Sequence, residues 1–159
     1  MALTLVQQPG QILQVGQTVT TAYQQSDAAT PVDTALTRAI TPKFSTSKIM
    51  VNVAACLTVS NADAAETIVL LKRTIGGSAT TLINGERFMF LDAGASGDNH
   101  IGWPSTMMYL DSPNTTSEVT YMIQVGFKAS YTGRFRVNDY HTTADTASTS
   151  TITLMEIAQ

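Results

Sequence analysis

Charge is scarce in this chain. Only 13% of its 159 residues are Asp, Glu, Lys or Arg, about half the usual share for a soluble protein. The nine Lys and Arg are outnumbered by 12 Asp and Glu, which leaves a net charge of −3. Those bases are scattered, so the concentrated positive face that a phosphate backbone requires is missing, and nucleic acid is excluded as an expected partner. Cys56 is the single cysteine, so no intrachain disulfide can form and packing and hydrogen bonds must hold the fold. Its neighbours Val53, Ala54, Ala55 and Leu57 predict a buried small hydrophobe. Long apolar runs are missing as well: stretches such as Ile68 to Leu71 fall far short of the roughly 20 residues of a membrane-spanning helix. The N-terminal Met1-Ala-Leu-Thr-Leu-Val-Gln-Gln-Pro9 lacks the basic residues and the apolar run of a secretory signal, which predicts use without classical export.

What fills the chain instead is threonine and serine, 25 and 12 of them. Together with Ala and Val they disfavour long solvated helices and favour strands. The clearest strand is Lys48 to Ser60, where Ile49, Val51, Val53, Ala55, Leu57 and Val59 alternate with a second set that includes Met50, Asn52 and Thr58. From Val119 the odd positions Tyr121, Ile123, Val125, Phe127, Ala129 and Tyr131 continue a second period of two. Weaker alternation marks Leu13 to Tyr23, with Val15 and Val19 on the apolar parity, and Val32 to Ile40. Glu66 to Ile75 is apolar on both parities, as suits a strand covered on two faces. Asn84-Gly85, between Leu82-Ile83 and Phe88 to Leu91, predicts a two-residue hairpin. Further strands are expected through Thr106 to Leu110, Arg134 to Asn138 and Thr151 to Ala158, with turn chemistry at Gly76-Gly77-Ser78, Asp92 to Asn99, Asp111 to Asn114 and Thr132-Gly133. The fold class expected is all-β: an antiparallel sandwich of jelly-roll type spanning residues 11–159 as one domain.

The two ends differ from this middle. Residues 1–10 close on Pro9-Gly10 and predict an N-terminal arm that either reaches a neighbour or is disordered; Leu3, Leu5, Val6 and Pro9 are its candidate docking residues. At the other end Ile152, Leu154, Met155 and Ile157 place apolar groups on both parities. Such a terminal strand either sits centrally in a sheet or faces another subunit, and these four are the candidate subunit interface.

Catalytic chemistry finds no constellation. His100 and His141 each stand alone, without a second His, Cys or carboxylate at metal-ligand spacing. Asp92, Asp98 and Asn99 could contribute to a calcium loop, but the alternating oxygen donors of a cation motif are missing, and no metal or other cofactor is expected. There is no Gly-x-Ser-x-Gly elbow and no glycine-rich phosphate loop. Asp63 and Glu66 read as solvated loop carboxylates. Arg134-Phe135-Arg136, with Lys128 and Tyr131 nearby, reads as a half-buried strand rather than a binding patch, and Trp103, Tyr109 and Tyr140 offer either core packing or a sugar-stacking rim. An enzyme is not expected.

Three segments read together are more specific: Ile40-Thr-Pro-Lys-Phe-Ser-Thr-Ser-Lys48-Ile-Met-Val-Asn-Val53, then Leu110-Asp-Ser-Pro-Asn-Thr-Thr-Ser-Glu-Val-Thr-Tyr121, then Ser148-Thr-Ser-Thr-Ile-Thr-Leu-Met-Glu-Ile157. From about Gln11 to Gln159 the chain resembles a family of tailed-bacteriophage virion proteins, found as the distal module of tail fibres and as short stand-alone structural proteins. The resemblance implies a jelly-roll or tumour-necrosis-factor-like sandwich, a homotrimer and no catalytic activity. Only about ten residues precede the module here, where a tail fibre carries a long shaft. That departure favours a capsid decoration or cement protein, made in the host cytoplasm and carried on the virion exterior, with the major capsid protein or a tail component as partner. The alternative is a fibre tip contacting a host glycan or receptor through Asp92 to Ile101 or Asp139 to Ala147.

Overall fold

The computed structural model describes residues 8–28, 30–60, 64–92, 100–127, 134–139 and 148–159. In chain order the strands are β1 (Ile12–Thr20), β2 (Gln24–Ser26), β3 (Val32–Ile40), β4 (Lys48–Ser60), β5 (Ala64–Ile75), β6 (Ser78–Asp92), β7 (His100–Asp111), β8 (Val119–Phe127), β9 (Arg134–Val137) and β10 (Ser150–Ile157). No helix occurs among the described residues. The alternation at Lys48 to Ser60 becomes β4 with the expected bounds, its odd residues Ile49, Val51, Val53, Leu57 and Val59 all buried.

β4 is the axis of the first sheet. Along one edge it pairs with β7 over its whole length; along the other it pairs first with β10, Lys48 to Ala54 against Thr151 to Ile157, and then with β9 from Leu57 onward. β1 flanks β10, and β2 flanks β9. The second sheet runs β3-β8-β5-β6. All these pairings are antiparallel. The orders β1-β10-β4-β7 and β3-β8-β5-β6 are the two four-stranded sheets of a jelly roll, the chain crossing between them at each step except the β5-β6 hairpin. Between them Leu36, Ile49, Val51, Leu57, Leu71, Tyr121, Ile123, Ile152 and Leu154 form a continuous core.

The hairpin expected at Asn84-Gly85 is not there. Both residues lie inside β6, opposite Leu70 and Val69, and the turn sits upstream at Gly76-Gly77, with φ of 54° and 82°. Two successive positive φ values are what a tight hairpin turn needs, and two glycines meet that need without strain, so Gly76-Gly77 takes the turn that Asn84-Gly85 signalled. The long strand expected from Val119 is β8 as far as Phe127, and its continuation to Tyr131 lies outside the described residues. Cys56 is half-buried rather than buried, because β4 turns its odd residues inward and leaves Cys56 on the opposite face.

Three polar nodes fasten the sandwich. At one end the Arg73 guanidinium donates to both oxygens of Asp111 at 2.9 and 3.0 Å, and the Tyr121 hydroxyl donates to Asp111 Oδ2 at 2.7 Å. Asp111 ends a strand of the first sheet while Arg73 and Tyr121 face each other across β5 and β8 of the second, so this clasp joins the two layers. Burial, then the hydrogen bond to Asp111 and its negative charge, push the Tyr121 phenol well above its ordinary pKa. A second node occupies the point where β4 changes partner. Cys56 N–H donates to Ser150 Oγ at 2.9 Å, Ser150 donates to Asn138 Oδ1 at 2.6 Å, and Asn138 N–H donates to Cys56 O at 3.0 Å. Asn138 Nδ2 also reaches Thr20 O and Ala22 O, from a backbone with φ of 56° that Asn tolerates better than most residues. The third node is Glu156, fully buried, whose carboxylate accepts from Gln14 Nε2 at 2.6 Å and from Lys43 N–H at 2.7 Å. It pins the 41–47 connection across the end of β10.

Candidate functional site

The terminal strand divides by parity. Ile152 and Leu154 are fully buried between the sheets, with Glu156 on the same side. Met155 and Ile157 are half-buried on the opposite side, so the four candidate interface residues do not share one surface. The strand is apolar on both faces because it is central in its sheet, between β1 and β4, and its outward side belongs to a larger face.

Strand register builds that face row by row. Val15 of β1 lies opposite Met155 of β10, Met155 opposite Met50 of β4, and Met50 opposite Leu110 of β7. The next row reads Gln17, Thr153, Asn52, Met108, and the one after it Val19, Thr151, Ala54, Thr106. A sandwich normally turns such residues inward on one side and polar residues outward on the other. Here the outward side exposes Val15 by 60%, Val19 by 57% and Met108 by 65% of their surface, with Ile12 and Leu110 also open. Lys48, at the end of the middle strand β4, is the one charged residue that the described parts of β1, β10, β4 and β7 place on it, while β9, paired with β4 in the same sheet, adds Arg136 opposite Thr58 and Arg134 opposite Ser60 on that side. The outer face of the second sheet differs in kind: Gln124 donates to Asp33 there, and Lys72 lies opposite Met122.

Val15 and Val19 stand on the apolar parity of β1, which reads as a core stripe in sequence. The structure turns them outward and leaves Gly16 and Thr18 facing in, because Gly16 lies under the Arg38 guanidinium: a Cβ there would come within 2.9 Å of Arg38 Nε. Met108 and Leu110 were hidden in sequence by Met107 and Tyr109, which pack against the core. The signal that could have found the face is apolar character on the solvent parity of four strands at once, which needs the register to be seen.

The remaining candidates are placed as follows. Of the arm, Pro9 sits in an exposed turn just before Gly10 N–H bonds Ala158 O, while Leu3, Leu5 and Val6 lie outside the described residues. Asp98, His141 and Tyr140 also lie outside them, as do the side chains of Asp92, His100 and Trp103. Among the described residues no three His, Cys, Asp or Glu groups come together. Phe135 is buried, Arg134 is exposed, and Arg136, on the outward parity opposite Thr58, is buried beside Asp139, with which it pairs at 3.1 Å. A cavity of about 10 Å³ between the sheets, lined by Val53, Leu57, Val69, Met107 and Ile123 among others, is far below the roughly 300 Å³ of a small-molecule pocket. No helix among the described residues is long and apolar enough to cross a membrane.

No protein-family model and no curated protein matches this chain. Among solved structures it is similar to a chain in the structure of infectious bursal disease virus, Gx strain, with a TM-score of 0.32 and 12% identity over 92% of this chain and 43% of that one. This chain therefore spans less than half the length of the viral chain, and a likeness of this size fixes neither fold nor function.

Proposed function

We propose that this chain is a structural protein of a virion surface, a trimer that docks on the shell of a tailed phage and reinforces it as a decoration or cement protein. The observation that carries the reading is the outer face built by β1, β10, β4 and β7, which exposes Val15, Val19 and Met108 and on which the described parts of these four strands place Lys48 as their single charged residue. The row Val15, Met155, Met50 and Leu110 is apolar across four strands, and small neutral neighbours such as Thr151, Thr153 and Ala54 are cheaper to desolvate than charges. The virion assignment rests on the three sequence segments that resemble phage structural proteins. Their most distinctive members have structural roles that suit such a protein: Asp111 and Tyr121 clasp the sheets, and Glu156 pins the 41–47 connection.

Particles assembled without the protein test the reading. Loss of resistance to heat or osmotic shock, restored by adding the purified protein back, is the expected result. Particles of normal stability that no longer adsorb to their host would replace the decoration role with a receptor-binding tip.

A further inference from the structure

We infer that the N-terminal segment Ala2 to Gln7 lies across the outer face of its own first sheet in the free subunit, as a cap on the row Val15, Met155, Met50 and Leu110 that assembly displaces. The occupant of the row is this chain's own arm and not a second copy. The inference rests on the assembly reading above and adds to it a contact that must be released before the face meets anything else.

The path of the chain just before β1 supplies the first argument. Ala158 N–H donates to Gln11 O at 2.9 Å, so Gln11 turns its carbonyl toward β10. Its N–H, which in an extended chain points to the same side, donates to Gln8 O at 3.0 Å, and Gly10 N–H donates to Ala158 O at 2.9 Å from a φ of 82°. Pro9-Gly10 therefore forms a tight turn that brings Gln8 beside the end of β10 and away from the free edge of β1. The arm sets out from the middle of the sheet.

The face is graded along its strands, and its apolar end is the end where the arm begins. Ile12 and Ile157 lie nearest the arm, and the row Val15, Met155, Met50, Leu110 follows, apolar on all four strands. Farther along, the rows turn to Gln17, Thr153 and Asn52 and then to Thr151, Ala54 and Thr106, and beyond them β9 brings Arg134 and Arg136 to the same side. A charged partner has groups to meet only on that far half. The near half matches the arm, whose residues Met1 to Gln7 carry no charged side chain and whose Leu3 and Leu5, two positions apart, share one side of an extended segment.

Reach and area complete the case. Met155 lies three residues, about 10 Å, from Ala158 along β10, and Leu110 lies two strands, about 10 Å, across from it. Seven extended residues reach ~23 Å, enough to cross the row to β7. Four strands about 4.8 Å apart and roughly eight residues long make a face of about 500 Å², short of the about 800 Å² that each partner gives to a stable two-body interface. A tethered arm does not face that requirement, because it is already held at an effective concentration in the millimolar range and loses no translational freedom on docking.

Methionine oxidation in dilute peroxide, followed by peptide mass spectrometry, reads the cover directly, since sulfoxide formation follows exposure. Met50 and Met155 lie in the covered row, while Met122, half-buried like them, lies on the outer face of the second sheet. Deleting residues 2–7 is expected to speed oxidation of Met50 and Met155 on the order of tenfold, the factor that about 1.4 kcal/mol of docking free energy makes, and to leave Met122 unchanged. Leu3→Ser combined with Leu5→Ser keeps the Pro9-Gly10 turn and is expected to act like the deletion, with far-UV circular dichroism showing that the fold is kept. Equal rates at Met50 and Met155 in all three proteins overturn the inference. Protection that appears only as protein concentration is raised also overturns it, because the arm then comes from another copy. Binding to particles that lack the protein separates the cap from the virion role. The double variant is expected to bind at least as tightly as wild type, and weaker binding overturns displacement of the arm on assembly. A wild type that binds particles but whose arm gives no protection overturns the inference and leaves the virion role. An arm that protects in a wild type that binds no particle supports the inference and removes the virion role.

Discussion

Removing the Asp111 carboxylate isolates the clasp between the two sheets. In Asp111→Ala the Arg73 guanidinium loses both of its contacts to this carboxylate and the Tyr121 hydroxyl loses its acceptor. The two losses differ in weight. Arg73 keeps 19% of its side-chain surface open and can rehydrate in part, so its share falls below the ~3–5 kcal/mol of a fully buried broken pair. Tyr121 is fully buried, and leaving its hydroxyl unsatisfied costs about 1–3 kcal/mol. Together we expect a loss of about 3–4 kcal/mol, or a fall in Tm of roughly 10 °C for a chain of this length. Asp111→Asn keeps an acceptor and should lose about half as much. The assay is thermal unfolding at pH 7 and one fixed protein concentration, since any self-association makes Tm depend on concentration. Tyr121→Phe completes a double-mutant cycle with Asp111→Ala: the double variant should fall short of the sum of the two losses by about 1–2 kcal/mol. A loss below about 1 kcal/mol for Asp111→Ala, or strict additivity in the cycle, would refute the clasp.

The same phenol gives an alkaline signature. Its folded-state pKa is raised, so the stability it contributes is present below the ordinary tyrosine pKa and is lost as pH climbs past it, where only the unfolded chain ionises. Above about pH 10 wild-type stability should therefore fall by up to ~1.4 kcal/mol per pH unit more steeply than that of Tyr121→Phe; equal slopes in urea titrations at pH 9 to 11 would contradict it. Asn138→Ala removes side-chain bonds to Thr20 O, Ala22 O and Ser150 Oγ from a fully buried site, and the expected cost is about 2–4 kcal/mol. Hydrogen exchange should show the loss of protection beginning at Cys56 and Ser150, and uniform loss along β4 would argue against a local node.

Much of the fold was legible in sequence because β4 and β8 obey a strict period of two, and their inward residues are part of the core found in the structure. The turn at Asn84-Gly85 was misread because local turn chemistry was equally good at Gly76-Gly77, and only the pairing of β5 with β6 chooses between them. The outward face of the first sheet was the least legible part. Of the four apolar residues of β10, Met155 and Ile157 lie on it while Ile152 and Leu154 belong to the interior, since a strand apolar on both parities does not say which parity faces the core. For β1 the local pattern pointed the wrong way, as Val15 and Val19 read as core and face outward. A face four strands wide is written in residues far apart in the chain, from Val15 to Met155, and register brings them together.

The central claim is the proposal that this chain works by assembling as a trimer on the outside of a virion. A reconstruction of the particle at subnanometre resolution tests it most directly. The account predicts threefold density outside the shell, with three sandwiches around one axis. Single separated copies, or particles without this density on head or tail, would contradict it.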